Sequence, residues 1–218
     1  MISRRSFARK SSLALAAGFL GPFPAAAIRP VAGEKLAMFQ EAGPKGVVCL
    51  ICPNECTLKD GELSDCHNRI ARKSKLYTMA FGNPCAINTD PVEKKPLYHF
   101  LPGTTAFSIA TAGCNLACLN CQNWTISQTS PDKTRNFDLP PEDVVAQASA
   151  GGCRSIAYTY SEPVTFYEYV YETSRLAREK GIKNIMVSNG YINREPLRQL
   201  CRYVDAANID LKSFSDST

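Results

Sequence analysis

"TAFSIATAGCNLACLNCQNW", residues 105–124, decides how this chain is read. Residues 105–112 form a short apolar run that stops at Gly113, the pattern of a buried strand. Cys114, Cys118 and Cys121 follow at once, with three residues in the first gap and two in the second. A short loop with this spacing can turn three thiolates onto one compact iron-sulfur cube and leave one iron without a protein ligand. A fourth thiolate would close the cluster, as in an electron-transfer ferredoxin. A zinc site, or three unrelated core cysteines, is the alternative reading of the same spacing.

Downstream the chain alternates between two periodicities. Pro140, Pro141, Glu142 and Asp143 open a helix with proline and acids in its first turn, and Gly151-Gly152 stops it. "RSIAYTY", residues 154–160, reads as a second strand. Phe166, Tyr169, Val170, Thr173, Leu176 and Ala177 then recur at helical steps until Gly181, a glycine C-cap. "KNIMVSNG", residues 183–190, is a third strand, Asn193 can cap a helix carrying Leu197 and Leu200, and "AANIDL", residues 206–211, is a fourth strand. Strand, helix, strand, helix with short connections predicts parallel βαβ units in an α/β fold. In such sheets ligands gather beyond the carboxyl ends of the strands. The cysteines, Ser161-Glu162, Asn189-Gly190 and Asp210-Leu211-Lys212 all fall at those ends.

Upstream, residues 45–100 form a Cys-rich segment with Cys49, Cys52, Cys56 and Cys66 inside "CLICPNECTLKDGELSDCHNR". Four thiolates on a turn-rich segment make a candidate second metal site, either zinc or another iron-sulfur cluster. Disulfides are the alternative if the protein is exported. Cys85, Cys153 and Cys201 sit in or beside apolar runs and read as buried, inert thiols. His67 and His99 are the only histidines, which leaves acid-base hydrolysis few candidates; His99 reads as structural, with a substrate-facing role as the alternative.

Residues 1–27 read as an address: Arg4-Arg5, Arg9-Lys10, an apolar run from Leu13 to Leu20, and Ala25-Ala26-Ala27 resemble a twin-arginine signal with its cleavage site. Export to the periplasm by that route is the expectation, with a cytoplasmic location as the alternative. The formal charge of +5 comes largely from this leader, because removing its four cations from the total of 25 leaves 21 against 20 acids. That balance excludes a nucleic-acid footprint, and no apolar run reaches the ~18 residues of a membrane span, so neither nucleic acid nor stable membrane insertion is expected.

Beyond these readings, "GCNLACLNCQNWTISQ" (113–128), "DPVEKKPLYHFLPG" (90–103), "YTYSEP", "VSNGYI" and "NIDLK" together resemble one family. It is the radical S-adenosylmethionine (SAM) enzyme of the AmmeMemoRadiSam system, a relative of the pyruvate formate-lyase activating enzymes. The resemblance implies a partial (β/α) TIM-like barrel over residues 101–218, expected to be truncated after its fourth strand. It implies a [4Fe-4S] cluster on Cys114, Cys118 and Cys121. SAM is then contacted by Glu162 and by Asp210 and Lys212, with Asn189 as a further cofactor-binding residue. The implied activity is reductive cleavage of SAM to a 5′-deoxyadenosyl radical that removes hydrogen from an unknown substrate, a protein being one candidate class, with electrons from a flavodoxin or ferredoxin. The alternative function is an electron-transfer or zinc-stabilised binding module without SAM chemistry. Asn120 stands where the superfamily commonly has an aromatic residue before the last cluster cysteine, and Trp124 reads as a core residue.

Overall fold

A computed structural model describes residues 34–215, so the leader at 1–27 lies outside the described residues. The Cys-rich segment is built of short strands: β1 (Lys35–Leu36), β2 (Gln40–Gly43), β3 (Gly46–Cys49), β4 (Thr57–Leu58), β5 (Arg69–Arg72) and β6 (Lys75–Thr78). They pair as two three-stranded sheets, in the orders β1-β6-β5 and β2-β3-β4, with every pairing antiparallel. The segment is turn-rich as expected and also carries two small sheets. Strands of two to four residues are too short to show an alternation that sequence alone reveals.

The second half follows the expected order. β7 (Ala86–Pro91), β8 (Thr105–Ala110), α1 (Trp124–Ser127), α2 (Pro141–Ala150), β9 (Ser155–Tyr158), α3 (Tyr167–Glu179), β10 (Lys183–Ser188), α4 (Arg194–Leu200) and β11 (Ala206–Ile209) succeed one another. Their five strands make one sheet in the order β11-β10-β9-β8-β7. β8 to β11 are mutually parallel, and β7 runs antiparallel to β8 with Ala86 opposite Ala110 and Pro91 opposite Thr105. β7 had no counterpart in the sequence reading and comes from within residues 45–100.

Successive side chains of a strand point to opposite faces, and here the two faces differ in bulk. Phe107, Ile109, Ile156, Tyr158 and Met186 share one core with Val144, Val145 and Ala148 of α2 and Val170 and Ala177 of α3. The opposite face carries Ala106, Ser108 and Ala157, with Ser108 paired to Ala157 and Ala157 to Ile185. Val92, Leu97 and Phe100 cover only part of this side. Helices thus fill one face, and the opposite face carries small buried residues beside Asn88 and Asp90 of β7. The helices end as their sequences dictate. Pro141 starts α2 behind Pro140, and after α3 Gly181 takes φ of +70°, a conformation that costs glycine nothing. No helix among the described residues is long and apolar enough to cross a membrane.

The Cys-rich sheets are fixed to the main sheet by a buried ion pair. Arg69 of β5 donates from Nη1 and Nη2 to the two carboxylate oxygens of Glu168 on α3, each at 3.0 Å, and both side chains are 1% exposed. The Met38 amide donates to Glu168 Oε1 at 2.7 Å. Asn193 does occupy the position before α4, but its side chain makes no cap; its amide nitrogen donates to the carbonyls of Leu50 at 3.0 Å and Cys52 at 3.2 Å. Removing one partner of a buried ion pair leaves the other charge unpaired, which costs about 3–5 kcal/mol. Arg69→Met is therefore expected to destabilise the fold by that amount in urea denaturation, and Arg69→Met/Glu168→Gln to recover a large part of it. Equal losses in the single and double variants would contradict this account.

Candidate functional site

A cavity of about 700 Å³ opens at the carboxyl ends of the parallel strands, bordered by Asn88 and Asp90 of β7 and Val187 of β10 on the side of the sheet away from the helices. Cys114, Cys118, Cys121, Glu162, Asn189, Asp210 and Lys212 all line it. Four separate loops, after β8, β9, β10 and β11, supply these residues, so the topology has collected every residue of the expected main site.

The cysteine loop is held on several sides. Gly113 has φ of +96°, and a Cβ there would stand 2.3 Å from the carbonyl oxygen of Cys66, so the Cys-rich segment packs directly on the start of the loop. Asn115 is buried; its amide donates to the Tyr191 carbonyl at 2.8 Å, and its side-chain oxygen accepts from Asn189 Nδ2 at 2.8 Å. The Asn115 carbonyl accepts from Asn54 at 3.1 Å, and Asn123 donates to the Tyr160 carbonyl at 2.8 Å. Cys114 is half-buried, and burial, reinforced by the neighbouring Glu162, Cys118 and Cys121, pushes its thiol up to about 11. Among the described residues no three His, Cys, Asp or Glu side chains are gathered as one metal ion requires. Thiolates are the donors that iron-sulfur clusters take, and this loop presents three of them to an open cavity.

Glu162 has two geometric roles. It caps the 3₁₀ turn Pro163–Phe166 by accepting from the Val164 amide at 3.1 Å, and it accepts from Ser188 Oγ at 2.7 Å and the Asn189 amide at 2.8 Å. Only 4% of it is exposed. Burial pushes its carboxyl above the ordinary value, against the opposing pull of those three donors and of Lys212. Asp210 and Lys212 pair with each other at 3.0 Å at the cavity's exposed side.

Residues 108–218, half of the chain, match the sequence model of the radical SAM superfamily. This chain belongs to that superfamily. Membership supports an enzyme whose chemistry is SAM-dependent and radical. An uncharacterized protein of Methanocaldococcus jannaschii is 48% identical over 181 residues, covering 83% of this chain and 54% of that protein. The chain spans about half the length of the curated relative it matches.

Other expectations of a radical SAM site need correction. Trp124 is not a core residue but 65% exposed at the start of α1. Cys201 is exposed, whereas Cys153 is buried as expected. His99 is exposed and is not among the residues that line the cavity, whereas Asn120 is. Cys49, Cys52, Cys56 and Cys66 surround a second cavity of only about 10 Å³ beside Arg69 and Asn115, the space of a single water. Among the described residues no three ligand side chains are gathered for a single ion, and a second metal here is unsupported. Asp90, Lys95, Tyr160, Ser188 and Asn115 were missed as site residues. The first two lie inside the quoted "DPVEKKPLYHFLPG", whose charged residues on a loop were the signal available.

The raised carboxyl of Glu162 fixes the sign of a pH effect. A native carboxyl that titrates above its unfolded value of 4.5 holds its proton longer than the unfolded chain does, so its contribution to stability falls as pH rises from there through the native value. Urea denaturation across that window is expected to show a flatter decline in Glu162→Gln than in the wild type. Parallel pH profiles for the two proteins would contradict the assignment.

Proposed function

We propose that this protein binds a [4Fe-4S] cluster on Cys114, Cys118 and Cys121 and SAM beside it, and removes a hydrogen atom from a substrate. The observation that carries this reading is the convergence of three thiols, a buried carboxylate and a lysine from four strand-end loops on one cavity. The donor set fits the groups. Three thiols on one loop leave one iron for a bidentate amine and carboxylate, and the cavity is of a size that holds a cofactor with a small molecule beside it. When bound, the cluster and SAM supply an electron and a sulfonium whose cleavage gives the 5′-deoxyadenosyl radical.

The protein's own contribution is position and shelter. Glu162, fixed by the Val164 and Asn189 amides and Ser188, keeps one acceptor site on Oε2 for a cationic amine, a charge-assisted bond in a buried setting. Lys212 stands opposite as the partner for a carboxylate, with Asp210 holding it at the rim. Asn189 ties the same loop to Asn115, which joins the cofactor-binding loop to the cysteine loop. Electrons are supplied by a flavodoxin or ferredoxin, and the protein is exported by the twin-arginine route. The relationship to the AmmeMemoRadiSam and activating enzymes, and the partial-barrel architecture, belong to the same proposal.

Anaerobic reconstitution with iron and sulfide, followed by dithionite and SAM, is expected to yield 5′-deoxyadenosine. Cys114→Ala is expected to lower that yield by at least about 100-fold, the scale of losing an essential metal ligand or its support. Product formation that survives Cys114→Ala with undiminished iron content would overturn the reading.

A further inference from the structure

The cavity has a second end that the cysteines, Glu162 and Lys212 do not explain. It is formed by β7, the turn that follows it, and Tyr160. Lys95 follows the 3₁₀ turn Val92–Lys94, and its side chain is only 2% exposed, yet it lines the cavity. Its ammonium donates to Asp90 Oδ2 at 2.8 Å and to the Tyr160 hydroxyl at 3.3 Å. The Tyr160 hydroxyl in turn donates to the same Asp90 oxygen. An ammonium has three N–H donors, so this arrangement leaves Lys95 one donor for a ligand.

Several features show that this end is built and not incidental. Tyr160 holds its backbone at φ of +65°, an uncommon conformation for a residue with a bulky side chain, and Asn123 of the cysteine loop fixes its carbonyl. That conformation lets a residue at the end of β9 join Asp90, whose β7 position lies opposite Ala106 near the start of β8. Burial, reinforced by Asp90, pushes the Tyr160 hydroxyl up to about 12, so it remains a donor. Lys94 lies 3.6 Å from the other Asp90 oxygen. Counting Asp90 against Lys94 and Lys95, this end carries one positive charge in excess. Asn88, two residues before Asp90 on β7, lines the cavity beside it.

We infer that Lys95, held by Asp90 and Tyr160, is the anchor of a substrate subsite that takes an anionic group, a carboxylate or a phosphate, at the end of the cavity away from the cysteines. The inference rests on the reading that the cysteine end holds the cofactors. A substrate anchored here has its remaining atoms directed toward the cysteine rim. Asp90 and Tyr160 act as positioning residues, because they fix the ammonium and do not meet the ligand's charge themselves.

The test uses calorimetric titration of the protein with acetate and with inorganic phosphate as probes, at constant ionic strength, alongside a separate titration with SAM. Neither probe titration depends on cluster turnover, so a failure of SAM cleavage leaves this result readable. Lys95→Met is expected to weaken the better probe roughly 10- to 100-fold, the effect of removing one hydrogen bond to a charged group, while SAM affinity changes less than about twofold. Lys95→Arg is expected to recover part of the probe affinity. Because Lys95→Met leaves Asp90 short of a partner, Tyr160→Phe is measured as well; it keeps the charge and is expected to weaken the probe by a smaller factor. Preference for acetate or for phosphate identifies the anion class. Absence of binding by both probes, probe binding indifferent to Lys95→Met, or a matching loss of SAM affinity would each overturn the inference.

Discussion

The difference in side-chain size across one parallel sheet is the constraint on which the rest depends. Phe107, Ile109, Ile156 and Tyr158 are driven out of water on the face that α2 and α3 cover. On the other face Ala106, Ser108 and Ala157 are small and fully buried, and Asn88, Asp90 and Val187 of the neighbouring strands border the cavity. The same period of two that builds the core therefore puts Asn88 and Asp90 on the cavity side of the sheet. Loops leaving the carboxyl ends of the strands have that cavity beneath them, and their polar and thiol side chains converge on it without any further device.

A second layer of organisation couples the N-terminal sheets to this site. The Cys66 carbonyl occupies the space where a side chain at position 113 would stand, Asn54 holds the Asn115 carbonyl, and the buried Arg69–Glu168 pair fixes the same segment to α3. The four cysteines of this segment surround a space that sits against Asn115, one residue from Cys114. Their packing thus bears directly on where the cysteine loop lies. Rigid support of this kind is what a site needs when catalysis depends on holding reactive groups at fixed separation.

Much of the architecture was legible in the chain itself, and the parts that were not share a cause. The strands at 105–110, 155–158 and 183–188 showed as apolar runs next to glycine and the one at 206–209 as "AANIDL", while α2 showed by proline at one end and glycine at the other and α3 by its helical period and Gly181. Their order placed the cysteines, Glu162, Asn189, Asp210 and Lys212 at one rim before any coordinate was known. β7 was not legible, because "AINTDP" has neither an apolar run nor alternation and is a strand only through its pairing with β8. Tyr160, Asn115 and Lys95 owe their places to partners 37 to 76 residues away, which no local pattern encodes. Trp124 misled for the opposite reason: a lone large aromatic is usually buried, but here it opens a four-residue helix on the outside of the loop.

The central claim is that three thiols hold a cluster whose remaining iron is open to the amino group of SAM. Electron-nuclear double resonance on the reduced, reconstituted protein with SAM labelled with nitrogen-15 in that group tests it most directly. A hyperfine coupling between the cluster and the labelled nitrogen is the result this account requires. A cluster spectrum that shows no such coupling with SAM present in saturating amount would contradict it.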